Sequence, residues 1–358
     1  PAAGTRSVTV ELVHGARGRT EGEVRLELPG GWPDVPAQRF VLEGEDTRRS
    51  FTFEVRAPRT LAPGEYDIHA VATSAGRRDD RAAGLVDFPH VRPVAYVTGA
   101  TVRVAAASLA LPNLRSVGYV RGASDVVPEL LTSVGVPVTV LDPSDLERSD
   151  LSTYEVIVIG SRAYETDSGL VANNGRLLDY VRAGGRLIVL YQQYQFVRGN
   201  FAPFPLRIAA PHDRVTDETS PVREIEPGSP LFHAPNEIGD ADWQGWVQER
   251  GLYFAHDWDP AYRPLLEMGD PATPAASTSG PTDWESLVHT FLAAGNAPVG
   301  GPGGGAREWL QGGLLVARLG RGLYVYTGIS FFRQLPAGVP GAYRLFANLL
   351  GLRLTNVP

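Results

Sequence analysis

The hydrophobic period of this chain changes near Leu111-Pro112-Asn113, and that change limits the folds open to it more than any composition value does. Upstream, apolar and polar residues alternate with period two in Val8-Thr9-Val10-Glu11-Leu12, Val24-Arg25-Leu26-Glu27-Leu28 and Phe51-Thr52-Phe53-Glu54-Val55, and in the runs 39–42 and 66–72. Such alternation sends successive side chains to opposite faces, as in a strand with one face in a core and one in water. Turn clusters separate the runs: Pro29-Gly30-Gly31, Glu43-Gly44-Glu45-Asp46 and Ala62-Pro63-Gly64-Glu65. Short strands at this spacing, with no helical stripe between them, predict an antiparallel β-sandwich over residues 1–110.

Downstream the apolar residues run continuously. Residues 116–120, 136–141, 155–159 and 186–190 each have the length and apolar character of a strand buried on both faces. Between them lie helical stripes. Val126, Val127, Leu130, Leu131 and Val134 form one, with Ser124 placed to cap it; a second helix over 170–182 stops at Gly184-Gly185. Buried strands alternating with helices predict an α/β, doubly wound, flavodoxin-like sheet over 113–358. Residues 314–319 and 323–327 flank Gly320-Arg321-Gly322 and predict an antiparallel hairpin on the sheet edge, with a closing helix over 342–350.

Composition removes several function classes. All 33 basic residues are Arg, so neither Schiff-base chemistry nor a lysine phosphate loop is open to the chain. Cys is absent, which excludes thiolate catalysis, cysteine-ligated zinc and disulfides. A net charge of −7 speaks against nucleic acid as a partner. No apolar run reaches the roughly 18 residues of a transmembrane segment. Gly118 and Gly122 alone do not make a dinucleotide fingerprint. The chain begins at Pro1 and its only Met is Met268, which leads us to expect a processed product or a fragment.

In a doubly wound sheet, ligands bind beyond the carboxyl ends of the strands. Arg162, Tyr164, Glu165, Gln192 and Gln193 follow the third and fourth strands and form a candidate ligand pocket, without a nucleophile beside a base. A second group, Trp243, Trp246, Tyr253 and Trp258 around Glu249 and Arg250, suits either sugar stacking or a core aromatic cluster. Trp32 poses the same choice in the first domain. His212-Asp213 with Asp217-Glu218, and His256-Asp257-Trp258-Asp259, carry ligand-type side chains. Metal binding or acid–base work there competes with the commoner use as caps and salt bridges. Residues 271–313 read as an insertion with Gly- and Pro-rich, mobile ends. Inside it the capping box Thr282-x-x-Glu285 and the stripe Trp284, Leu287, Val288, Phe291, Leu292 predict a helix over 282–293. That stripe has three possible partners: its own domain, the strand-end pocket or a second chain.

Three resemblances add to this reading. Leu28-Pro29-Gly30-Gly31-Trp32, Phe53-Glu54-Val55 and Ala62-Pro63-Gly64-Glu65-Tyr66 resemble the Ig-like module associated with bacterial glycosidases and other exported enzymes. The second domain resembles the class I glutamine-amidotransferase-like fold of trehalose-utilisation-type proteins. Active members place Cys after the strand matching 186–190 and His after the last core strand. Those places fall at Tyr191-Gln192 and Ser330-Phe331, so the resemblance implies a degenerate, amidotransferase-like domain.

The third resemblance spans nearly the whole chain. Val86-Asp87-Phe88-Pro89-His90-Val91-Arg92-Pro93, Ser161-Arg162-Ala163-Tyr164-Glu165-Thr166, Arg214-Val215-Thr216-Asp217-Glu218, Trp246-Val247-Gln248-Glu249-Arg250-Gly251 and Phe331-Phe332-Arg333-Gln334-Leu335-Pro336 are similar to the region downstream of the catalytic domain in large bacterial PIG-L (LmbE-like) deacetylases. That family removes acetyl from N-acetylglucosamine-type substrates with zinc, held by a His-Pro-Asp-Asp motif and a later His-x-x-His. Neither motif occurs here; Pro211-His212-Asp213-Arg214 lacks the second Asp. The resemblance therefore implies a non-catalytic accessory region, exported to the periplasm or beyond, with zinc only in an upstream deacetylase domain. A glycan or N-acetyl sugar is the implied ligand. The rival expectations are an assembly protein making homo-oligomeric contacts and an independent hydrolase using His212 or His256.

Overall fold

The computed structural model describes residues 5–87, 92–270 and 309–353, and the chain divides into two compact units at Ser108/Leu109. Among the described residues strand content is 37% against 21% helix, so β-sheet supplies most of the frame.

The first unit is all strand: β1 (Thr5–Val13), β2 (Thr20–Glu27), β3 (Gln38–Leu42), β4 (Arg48–Arg56), β5 (Gly64–Ser74), β6 (Arg77–Asp79), β7 (Arg81–Val86), β8 (Val94–Gly99) and β9 (Thr101–Ala106). One antiparallel sheet runs β3-β2-β5-β6, with β9 also on β5; β1 and β4 make a second antiparallel layer. The alternation decides which residues meet. Val24, Leu26, Phe40, Leu42 and Ile68 from one layer share a core with Phe51, Phe53 and Val55 from the other. Each such side chain contributes about 1.5–3 kcal/mol by leaving water. Trp32 belongs to this core at 8% exposure, so its ring has no open face for a sugar. The choice posed for Trp32 falls to the core, and sugar stacking is corrected. β7 and β8 form a separate hairpin whose Leu85 and Val97 stay 62% and 63% exposed. Residues 88–91 of the Val86–Pro93 stretch lie outside the described residues.

The second unit is built on a seven-stranded sheet. Five strands are parallel: β11 (Val138–Leu141), β10 (Val117–Val120), β12 (Val156–Ile159), β13 (Arg186–Leu190) and β22 (Gly322–Thr327), in that spatial order. β21 (Leu314–Leu319), antiparallel to β22, and β19 (Tyr262–Pro264), antiparallel to β21, complete it. The expected terminal hairpin is therefore present but not at the edge. β22 pairs with β13 on one side, and β19 covers the outer side of β21, a long-range pairing that local pattern cannot register.

Helices pack on both faces. Alternate strand residues Val117, Tyr119, Val156, Val158 and Ile188 share a core with α1 (Val127–Ser133) and the helix Pro340–Gly351. Ile157, Ile159, Leu187 and Val189 share the other with α2 (Pro143–Arg148) and α4 (Ser168–Arg182). Ser124 does not cap α1. It sits at φ 50°, and the Asp125 carboxylate accepts instead from the Val127 and Gly122 amides at 3.0 and 3.1 Å. Asp167 caps α4 through the Leu170 amide, and Gly184 at φ 117° ends it as expected. The helix foreseen over 282–293 lies outside the described residues.

Candidate functional site

The site is assembled from turns at the carboxyl ends of β12, β13 and β22. After β12 the chain reverses through Arg162, at φ 62°, before the single turn α3 (Ala163–Thr166). A non-glycine residue in the left-handed region costs about 1–3 kcal/mol, and neighbouring contacts must hold it there. Here the Arg162 amide donates to the Tyr191 carbonyl at 3.0 Å. The Arg162 guanidinium then grips Glu165 with two bonds of 3.0 and 2.6 Å. That contact holds the Glu165 carboxyl below its usual range.

After β13, Tyr191 and Gln192 turn the chain into α5 (Tyr194–Arg198). Tyr191 stacks on Tyr253 at 5.7 Å and meets Phe332 at 5.0 Å. Burial pushes its hydroxyl up to about 12. Tyr253, itself at φ 53°, also stacks with His212 at 3.8 Å and meets Tyr194 edge-on at 5.6 Å. After β22, Arg333 lies over Phe332 at 4.8 Å and binds Glu249 at 2.6 Å. The result is a patch of three half-buried rings, Tyr194, Tyr253 and Phe332, backed by buried Tyr191 and edged by two guanidinium–carboxylate pairs whose charges cancel. His212 is held neutral-leaning: burial, then Arg214, lowers its pKa, and its Nε2 is buried without a partner.

The expected pocket residues reach this end of the sheet but divide by role. Arg162 and Glu165 lie on the rim, and Gln193 is half-buried at the start of α5. Tyr164 and Gln192 point inward. The Tyr164 hydroxyl donates to Asn174 at 2.5 Å, and its ring stacks on Phe201 at 4.8 Å. Gln192 is wholly buried; its amide nitrogen donates to the Gly160 and Leu190 carbonyls at 2.9 and 2.8 Å, and its oxygen accepts from the Tyr164 amide at 3.2 Å. These two are corrected to supports of the turn, because every polar atom a ligand would use is already engaged by the fold.

The tryptophan group is corrected more fully. Trp243 and Trp246 are 7% and 4% exposed and belong to the sheet core. Arg250, 1% exposed, packs against both rings and donates to the Trp243 and Ser220 carbonyls. Burial lowers its pKa to about 10. Trp243 and Trp246 therefore keep no open stacking face, while Trp258 is half-buried. Of this group Tyr253 stands in the strand-end patch, and Glu249 reaches its rim through Arg333. His256 pairs with Asp213 at 2.7 Å beside His212, on an exposed loop. Asp217 closes a turn onto the Thr219 amide and hydroxyl. Among the described residues no three His, Asp or Glu side chains gather as a metal site, and His212, stacked and occluded, does not suit a zinc ligand.

Asp270 was invisible from the sequence. Its carboxylate accepts from the Thr216 amide and hydroxyl, the Asp217 amide and the Ser220 hydroxyl, at 2.8 to 3.2 Å. It clamps the loop that holds Arg250. Tyr191, Tyr194 and Phe332 carried one usable signal, their position just after a strand.

No family model matches this chain, and no curated protein matches it. Among solved structures, the cytoplasmic protein STM1381 from Salmonella typhimurium LT2 is similar at 11% identity and TM-score 0.34, over 75% of this chain and 94% of that one. An exo-beta-1,4-mannosidase from Opitutaceae bacterium strain TAV5 is similar at 12% identity and TM-score 0.34, over 68% of this chain. A cold-adapted beta-galactosidase from Rahnella sp. R3 is similar at 14% identity and TM-score 0.32, over 66%. The chain spans 36% and 31% of those two glycosidases. At these scores the likenesses carry no argument about what the chain does.

Proposed function

We propose that the chain is a non-catalytic accessory region of a PIG-L (LmbE-like) N-acetylglucosamine-type deacetylase, supporting or targeting an upstream zinc-bearing domain by holding glycan at the strand-end patch. On this reading the first unit is an Ig-like sandwich and the second a degenerate, doubly wound amidotransferase-like domain. Five parallel strands with helices on both faces support that assignment. So does the strand-end position of the patch.

One observation carries the non-catalytic reading. Where an active amidotransferase has its nucleophile, Gln192 is buried with its carboxamide fully hydrogen-bonded. At the place of the catalytic base, Ser330 is buried and donates to the Glu249 and Arg250 carbonyls. Half-buried rings edged by neutral ion pairs suit a sugar, whose C–H faces stack while hydroxyls reach Arg and Glu.

Calorimetric titration with N-acetylglucosamine oligomers tests the binding half. Binding should weaken about tenfold in Tyr194→Ala, the loss of one ring contact. Equal affinity in that variant would remove the patch from the proposal. The non-catalytic half fails if the chain releases acetate with added zinc and His212→Ala abolishes the release. A second reading, an assembly protein, is favoured by the exposed hairpin β7–β8; light scattering separates a monomer from a homo-oligomer.

A further inference from the structure

At the opposite end of the same sheet, a cleft of about 830 Å3 opens among the amino ends of the parallel strands. Five arginines line it, with Asp150, Glu155 and Asp179. Each of the three carboxylates has a partner on one oxygen, and Oε2 of Glu155 is buried without one. Asp150 accepts from the Ser152 amide at 3.0 Å, Glu155 pairs with Arg115 at 3.0 Å, and Asp179 pairs with Arg182 at 2.7 Å. Arg186, Arg321 and Arg353 have no carboxylate within 4.0 Å among the described residues.

The fold explains why guanidinium groups collect here. In parallel βα units each helix runs back to the amino end of the sheet, so its unsatisfied carbonyls end there. Arg186 donates from Nη1 to the Leu350 and Leu352 carbonyls at 2.6 and 3.0 Å, and from Nε to the Glu155 carbonyl at 3.2 Å. Arg321 donates from Nη2 to the Ala183 carbonyl at 3.0 Å. Capping explains one edge of each group and leaves the other edge over. Among the described residues, Nη2 of Arg186, with its two N–H donors, has no bond, and the same holds for Nε and Nη1 of Arg321. Capping also fixes both planes, so that little side-chain entropy remains to be lost on binding. Arg186 is mostly buried, and burial followed by the nearby Arg353 lowers its pKa. Two positive charges in a partly dry cleft repel one another, and an anion between them would relieve that cost.

We propose that this cleft is an anion site, taking a ligand with a phosphate, sulfate or carboxylate group across Arg186, Arg321 and Arg353. Planar guanidinium edges match such oxyanions with paired hydrogen bonds. The site lies at the other end of the sheet from the aromatic patch and does not depend on the glycan reading.

The test uses the whole chain with inorganic pyrophosphate, inorganic phosphate and glucuronate as separate probes, in calorimetry at low ionic strength. Arg353 is exposed and caps no carbonyl among the described residues, so Arg353→Gln should leave the fold unchanged; Arg321→Gln removes a single cap. Binding of at least one probe is expected, weakened about tenfold in each variant and lost in the double variant. Tighter pyrophosphate binding identifies a phosphate-type ligand, and tighter glucuronate binding identifies a sugar acid. Absence of binding by all three, or binding equal in the double variant, overturns the proposal.

Discussion

Replacing Gln192 by Leu removes three hydrogen bonds and changes little of the volume they fill. The consequence follows from the partners left behind. The Tyr164 amide has no second acceptor, so it becomes an orphaned buried donor, worth about 1–3 kcal/mol. The Gly160 carbonyl keeps its bond from the Ala163 amide and loses less, and the Leu190 carbonyl loses one bond. The sum is about 3 kcal/mol, a large share of a typical domain stability of about 5–15 kcal/mol. With a urea slope of about 3 kcal/mol/M for a unit of this size, the midpoint should fall by about 1 M. Trp243 and Trp246 lie in the core of this unit, so their fluorescence reports its unfolding. Folded variant should bind N-acetylglucosamine oligomers as the parent does. A midpoint shift under about 0.3 M, together with lost binding, would refute the assignment of Gln192 as a support, since the side chain would then face ligand rather than backbone.

Three further outcomes follow from the same geometry. Arg186→Lys keeps the charge but cannot reach three carbonyls at once, so it should cost about 2 kcal/mol in urea unfolding; an unchanged midpoint would deny the capping role. Asp270→Ala strips acceptors from two amides and two hydroxyls and should cost about 2 kcal/mol, with faster proteolytic cleavage within 216–220; unaltered cleavage would show that the clamp is not needed. His212 has its folded pKa below the unfolded value of 6.5, so the unfolded chain binds the extra proton. Its contribution is complete above pH 6.5 and is lost as pH falls toward the folded pKa. His212→Phe should flatten the stability profile in that acid window, and an identical profile would refute the linkage.

Local signals carried a good part of this protein. Period two in Phe51-Thr52-Phe53-Glu54-Val55 places three residues on one face whatever the chain does elsewhere, and those three are core. Asp142-Pro143-Ser144-Asp145 spells a helix start, and the structure has a capping box there, opening α2. Both signals act over a few residues, through backbone geometry that neighbours alone dictate.

What tertiary structure decided was which polar groups meet. Gln192 and Trp243 have the same chemistry in a pocket or in a core, and only the arrival of Gly160, Leu190 and Tyr164, or of Arg250, settles it. Asp270 is separated from Thr216 by 54 positions, and β19 reaches β21 from across the chain. Pairings of that kind depend on how whole layers pack, because a hydrogen bond is worth about 1 kcal/mol and many alternatives lie within reach until the sheet brings one set of partners together.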